Sequence, residues 1–317
     1  MATPSSPSSA EYSEFFQNLV PSEQIDVKKI QIDEFTRKHT QNNTRVVLVT
    51  SGGTTVPLES RTVRFLDNFS IGTRGATSAE YFLKQGYAVV FMHRHRSLQP
   101  FCQRVDRNIL DVLTVSEGPE TVITVSQPYV KDLAPVVRDY HKYRDQGMLL
   151  VVDFTTLTDY MLLLRDAAQS INTSGCHGVI YLAAAVSDFY IPREQMPEHK
   201  MQSSEGPRHL NLEMTPKMLR PLVKEWAPKA FIISFKLETD TSLLVDKARK
   251  ALDTYHHQVV VANLLETRKK EVVIVTRDSE ETLKLSDADI TSGQEIERPL
   301  VAKLVDYHRQ WISQNLK

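Results

Sequence analysis

The chain has 317 residues, 41% hydrophobic and 24% charged, an ordinary globular mixture long enough to bury a real core. Lys and Arg number 38 against 39 Asp and Glu, and the net charge of −1 gives no electrostatic reason to expect nucleic acid or a membrane as partner. The two cysteines, Cys102 and Cys176, lie far apart without metal-ligand spacing, which argues against a disulfide framework or a zinc site and fits a reducing compartment.

No apolar run approaches the ~20 residues needed to cross a bilayer. The first residues carry neither a basic nor an apolar leader region, so a cytosolic location is expected. Residues 1–11, rich in Ser, Pro and Ala, read as a disordered tail. Residues 12–44 read as a helical extension and linker. Phe15, Phe16 and Leu19, then Ile25, Ile30, Ile32 and Phe35, keep helical spacing interrupted at Pro21. Residues 45–317 then form a single domain.

Arg45–Thr50 is a β-branched run of the kind found in a strand covered on both faces. It runs into Ser51-Gly52-Gly53-Thr54-Thr55, and after a loop Ser70-x-Gly72-x-x-Gly75 opens a helix through Lys84, closed by Gly86. Tyr87–Met92 is the second strand of a βαβ unit. The alternation continues with a helix over 133–143, strand 148–152, helix 157–171 capped by Thr155 or Thr156, strand 178–185, helix 218–226 and strand 231–235. A helix over 243–252, strands 259–261 and 271–276 and a helix over 299–312 complete it. This pattern predicts an α/β fold: a Rossmann-like, doubly wound, mostly parallel sheet with helices on both faces. Insertions near 97–131 and 190–215 break the alternation.

Ligands of such sheets collect beyond the carboxyl ends of the strands, where Ser51–Thr55, Ala183–Asp188 and Ser234–Glu238 are expected. Glycines allow close backbone approach to a phosphate, and free amides at a helix start favour its charge. The loops are not a P-loop, since no Lys follows the glycines, and no acidic ribose partner ends the second strand. That strand ends instead in His93-Arg94-His95-Arg96, which suits either a 2′-phosphate or a solvated loop. Arg64 and Asn68 supply a guanidinium and a carboxamide beside the second glycine pair. Asp188 offers a carboxylate after three small residues, and could equally cap a helix. A lone Lys200 in a loop reads as solvated. His256 and His257 read as helix-end or surface residues, because adjacent positions do not aim at one metal. No nucleophile triad is recognisable. An NADP-dependent oxidoreductase of short-chain type would need a Tyr-x-x-x-Lys pair, yet Tyr140 is followed by Arg144 and Tyr160 by Leu164. A non-catalytic nucleotide-binding protein is the third reading.

Taken in order, Val49-Thr-Ser-Gly-Gly-Thr54, the stretch Val63–Ala76, Tyr181–Tyr190, Pro197-Glu-His-Lys200, Ile233–Thr239 and Val260-Val-Ala-Asn263 resemble the phosphopantothenate–cysteine ligases, and the animal type most closely. The resemblance implies a ligase that joins 4′-phosphopantothenate to L-cysteine in coenzyme A biosynthesis, through an acyl-nucleotidylate made from ATP with Mg2+. It places Gly52, Ser70, Gly72, Gly75, Phe235 and Asn263 at the nucleotide, and Asn68, Ala184, Ala185 and Asp188 at phosphopantothenate. It also implies a homodimer in which Arg64 reaches the neighbouring subunit's substrate. Lys200 matches the first lysine of the bacterial Lys-Ile-Lys-Lys motif, read here as Lys-Met-Gln-Ser, and Asn68 and Lys200 are the residues implied in the chemistry. Bacterial relatives are similar but fused to a flavin-dependent decarboxylase, and they use CTP. The resemblance leaves the metal ligands open.

Overall fold

A computed structural model of the chain describes residues 9–104, 108–202, 204, 206 and 209–316. The N-terminal extension forms α1 (Ser9–Gln17) and α2 (Ile25–Gln41), parted around Pro21. Residues 9–11 of the tail expected over 1–11 are helical; residues 1–8 lie outside the described residues.

The first βαβ unit consists of β1 (Val46–Ser51), a small hairpin of β2 (Thr55–Pro57) and β3 (Phe65–Asp67), α3 (Thr73–Lys84) and β4 (Ala88–Arg94). The first insertion holds a helical turn, α4 (Ile109–Val112), and an outlying hairpin, β5 (Leu113–Ser116) with β6 (Val122–Val125). Next come α5 (Gln127–Asp145), β7 (Leu149–Phe154), α6 (Leu157–Asn172) and β8 (Gly178–Leu182). The Thr156 hydroxyl caps α6 by accepting from the Asp159 amide at 3.1 Å. The second insertion is pinned by β9 (Phe189–Tyr190) against β10 (Glu213–Met214). The chain ends with α7 (Leu219–Pro221), β11 (Phe231–Glu238), α8 (Leu244–Tyr255), β12 (Val259–Leu264), β13 (Glu271–Val275), β14 (Glu280–Lys284), α9 (Asp287–Thr291) and α10 (Glu297–Asn315).

The main sheet runs β14-β13-β12-β11-β8-β1-β4-β7, parallel from β12 to β7. The chain moves outward from β1 through β4 to β7, then returns to β8 on the other side of β1. This is the strand order of dinucleotide-binding sheets, and it puts the topological switch point between β1 and β8. Both faces are covered, as the continuous apolar runs require. Val46 and Leu48 enter the core under α6, while Val47 and Val49 enter a second core with Ala76, Ala79 and Phe82 of α3 and Leu300 and Leu304 of α10.

The sheet is mostly parallel, as expected, and adds an antiparallel edge at β13 and β14, where β14 alternates exposed and half-buried residues that carry no apolar run. Two helices need correction. Helix α5 starts six residues before the apolar periodicity does, because Pro128 favours a first helical turn whatever its side chain buries. The helix expected over 218–226 is α7 followed by a wider π turn, Leu222–Trp226, in which the Ala227 amide reaches back to the Leu222 carbonyl at 2.9 Å.

Candidate active site

Past their ends, β1 and β8 stay zipped together. The Ala185 amide donates to the Gly52 carbonyl at 2.8 Å, and the Thr54 amide to the Ala185 carbonyl at 3.1 Å. Thr50 Oγ1 accepts from the Ala184 amide (3.2 Å), and Thr54 Oγ1 from the Ser187 amide (3.0 Å). The Asn68 amide then donates to the Thr54 carbonyl at 3.1 Å. Asn68, Ala184, Ala185 and Asp188 thus converge on one seam at the switch point. Gly53 allows that approach: a Cβ there would lie 1.7 Å from the Asn68 carbonyl oxygen.

The glycines lie toward the α3 face. Gly52 and Gly72 have φ of +80° and +88°, and Gly72 is the N-cap of α3, so amides of the first helical turn open onto the seam. Ser51 Oγ donates to the Gly72 carbonyl at 3.0 Å. Gly75 lies inside the helix rather than in the loop expected for it. Its role is close packing, since a Cβ would stand 2.4 Å from Ser51 Oγ. Phe235 packs into the core under α3 and α10 and pairs in register with Val261; Asn263, 6% exposed, lies two residues further along that strand, opposite Leu237. Ser234–Glu238, expected as a loop after the strand, is still strand, paired to Val260–Leu264.

Charged side chains brace this face. Arg74 donates to Glu297 (2.8 Å) and to the Arg268 carbonyl (2.5 Å), with its guanidinium 5.9 Å from the Phe235 ring centre. Burial pushes the Glu297 carboxyl up, against the pull of Arg74. Glu80, fully buried, accepts from the Phe101 amide (2.8 Å) and from Arg104 Nε (3.0 Å), and Arg104 also pairs with Glu295.

On the opposite face, a cavity of about 320 Å³ opens between α6, α7 and α8. Its lining includes Ala184, Asp188, Phe235, Thr215, Lys217 and Ser234. Asp188 pairs with Lys217, and its carbonyl accepts from the Thr215 amide at 2.9 Å. Ser234 Oγ lies 2.8 Å from His257 Nε2. Burial lowers the His257 pKa to about 4. His256 does end its helix in a left-handed conformation, but His257, expected at the surface, is turned inward by that residue and is 4% exposed.

The remaining sequence candidates are placed as follows. Arg64 donates to buried Glu59 (2.9 Å) and to the Met201 carbonyl (3.1 Å). Burial would raise Glu59, but bonds from Arg64 and the Val63 amide hold its carboxyl below the usual range. Ser70 is half-buried just before α3, and Lys200 is exposed in the second insertion. Of the run His93–Arg96, the first two residues are not the solvated loop expected, since β4 continues to Arg94, His93 is buried and Arg94 pairs with Asp67 (2.6 Å); His95, paired with Asp153 (3.0 Å), and Arg96 are exposed in a turn. Sequence reasoning missed Thr215, His257, Arg74 and Glu80. Only Arg74, inside the glycine motif, carried a local signal.

A family model described as the DNA/pantothenate metabolism flavoprotein C-terminal domain matches residues 163–305. The human phosphopantothenate–cysteine ligase is 53% identical over 273 residues, which cover 84% of this chain and 88% of that protein. The chain belongs to the phosphopantothenate–cysteine ligase family. A ligase of the same name from Oryza sativa subsp. japonica is 42% identical over 320 residues and covers 99% of this chain, so the likeness extends through the N-terminal helices. A solved structure of a Cab2 variant in complex with phosphopantothenate-cysteine aligns with a TM-score of 0.88 at 37% identity, over 96% of this chain and 100% of that one. Family and fold therefore agree with the resemblance read from the motifs.

Proposed function

We propose that this protein joins 4′-phosphopantothenate to L-cysteine at the expense of ATP, forming phosphopantothenoylcysteine for coenzyme A biosynthesis. The observation that carries this reading is the convergence of Asn68, Ala184, Ala185 and Asp188 on the β1–β8 seam, beside the glycine turns and the start of α3.

The reaction has two steps. A carboxylate oxygen of phosphopantothenate attacks the α-phosphorus of ATP; a C–O–P link forms and pyrophosphate leaves. The amine of cysteine then attacks the acyl carbon, a C–N bond forms, the C–O bond breaks, and AMP departs with the electron pair while the amine gives up a proton. No covalent nucleophile is required, so orientation and preorganised donors carry the barrier.

Gly52, Ser70 and Gly72 bring backbone to the triphosphate, Gly75 serves that cradle by letting Ser51 pack against the start of α3, and Phe235 and Asn263 border the nucleoside. Asn68 donates to the reacting carboxylate and then to the mixed anhydride, and Asp188 accepts from the pantothenoyl arm. Lys200 stabilises negative charge at the anhydride. Among the described residues no group of three His, Cys, Asp or Glu could hold a metal. Mg2+ enters with ATP as a single substrate, its charge set against the triphosphate.

The active form is a homodimer, in which Arg64 supplies charge to the neighbouring subunit's acyl site. Apolar residues exposed on the β5–β6 hairpin, Val115, Val122 and Ile123, support such an association. The protein works in the cytosol; its two free cysteines fit that location, and no helix among the described residues is long and apolar enough to cross a membrane.

The test is AMP release with phosphopantothenate and cysteine, comparing ATP with CTP. AMP formation that requires both acid and amino acid is expected. Nucleotide hydrolysis indifferent to either would overturn the reading, and a preference for CTP would overturn the assigned nucleotide.

A further inference from the structure

The loop between β2 and β3 encloses a carboxylate that the reaction described above does not use. Glu59 is fully buried; its Oε2 accepts from the Val63 and Arg64 amides at 3.3 and 3.0 Å, and its Oε1 from Arg64 Nη1 at 2.9 Å. Burial would push the carboxyl up, but these donors hold it below the ordinary carboxylate range, so the group is an anion. The two backbone bonds fold the loop, which the Leu58 amide also closes by donating to the Arg64 carbonyl at 3.0 Å. The third bond fixes the direction of one guanidinium with a buried charge.

That guanidinium is anchored at a single nitrogen. Nη1 also donates to the Met201 carbonyl at 3.1 Å, and among the described residues Nε and Nη2 make no bond. The side chain is 41% exposed, so the guanidinium keeps donors for an anion brought by another molecule. Met201 follows Lys200, and the residues before that lysine are tied to the same loop. The Ser60 amide donates to the Pro197 carbonyl at 2.8 Å, and the Arg61 amide to the Glu198 carbonyl at 3.0 Å. The segments that carry Arg64 and Lys200 are therefore one unit, with Glu59 as its buried charge.

We propose that Glu59 is a positioning residue for the ligation: it holds Arg64 by Nη1 alone, leaving Nε and Nη2 for the acyl substrate of the neighbouring subunit, and it keeps the Lys200 segment in step through Met201. This rests on the ligase reading and on the homodimer within it. An arginine is required, because a lysine held by Glu59 has no second nitrogen to offer. A glutamine at position 59 separates the two jobs of the carboxylate. Its one carbonyl oxygen stays with the two backbone amides, and its NH2 group then faces Nη1, donor against donor.

AMP release by the wild-type protein is measured first; no AMP from phosphopantothenate, cysteine and ATP together would overturn the ligase reading itself. Given that activity, Glu59→Gln should keep the wild-type melting temperature and lower kcat/KM for phosphopantothenate roughly tenfold, the order of one lost charged hydrogen bond. The KM for ATP should not move. Arg64→Ala should lower the same ratio at least as far, and the double variant should go no lower than Arg64→Ala alone. Losses that multiply in the double variant would overturn the assignment, as would a wild-type ratio in either single variant. Arg64→Lys tests it with Glu59 intact: the loss should match that of Arg64→Ala, and wild-type activity with lysine would overturn the assignment too.

Discussion

The two faces of the sheet hold different chemistry with different means. On the α3 side the site is made of backbone, with glycine turns held tight by Ser51 and braced from behind by Arg74–Glu297 and Glu80–Arg104. On the α6 side it is a side-chain cavity with soft walls, a π turn and a hydroxyl without a partner. A triphosphate always presents the same dense charge, and a rigid amide-rich cradle suits it.

The seam is where this division is easiest to break. Gly53→Ala puts a methyl group into the Asn68 backbone, which cannot yield as a flexible side chain could. Loss of about 2–3 kcal/mol of stability is expected, together with at least a hundredfold loss of activity as Asn68 moves, on the order of what an ångström of misplacement costs. Denaturant melts and the AMP assay would read both; unchanged values would mean that the seam is loose.

Glu80→Ala probes the bracing alone. It strips a buried partner from Arg104 and from the Phe101 amide, and should cost about 3 kcal/mol. The folded fraction should keep its dependence on cysteine. Asn68→Asp does the reverse, placing an anion beside the reacting carboxylate. Turnover should fall roughly a hundredfold with the melting temperature unchanged, and wild-type turnover would remove Asn68 from the chemistry.

Acid sharpens the comparison, because His257 and His308 are buried on opposite faces of the sheet. His308, on the buried side of α10, is bonded at both nitrogens, to Tyr87 (2.7 Å) and to the Cys176 carbonyl (2.9 Å); His257, across the sheet, is bonded at one. Burial holds both near pKa 4, below the ordinary 6.5. The unfolded chain takes up these protons first, so stability is complete above about pH 6.5 and is lost as pH falls toward 4. Urea midpoints should show a cost of roughly 2 kcal/mol per histidine at pH 5. His257→Gln should remove one share of that slope, and an unchanged slope would mean that His257 does not titrate this way. The smallest effect is expected from Lys200→Gln: turnover about tenfold slower, the order of one surface charge near an anion, with folding intact. Unaltered steady-state kinetics would exclude that lysine.

Much of this was legible because the signals are local. A β-branched run, a glycine turn and a helix start sit within one stretch of chain from Val46 to Lys84, and the alternation of strands and helices beyond it repeats that unit. The antiparallel edge was not legible, since Glu271–Val275 reads the same whichever way its neighbour runs. Nor were the braces: Arg104 meets Glu80 and Glu295, which lie far from it in sequence, and no spacing rule connects them. His257 was misread because its burial depends on the left-handed turn at His256, a conformation that histidine seldom announces. Thr215 sits in a loop whose placement is decided by Asp188, across the β9–β10 pairing.

The ring cluster at the start of the chain has a practical consequence. Phe15 stacks edge-on against Tyr190 and Phe16 against Trp226, so α1 is wedged between the second insertion and the π turn beneath the cavity. Shortened versions made for crystallography should therefore begin at or before Ser9. A clone trimmed back to Arg45, where the sheet starts, would leave those aromatic rings bare to solvent and prone to aggregate.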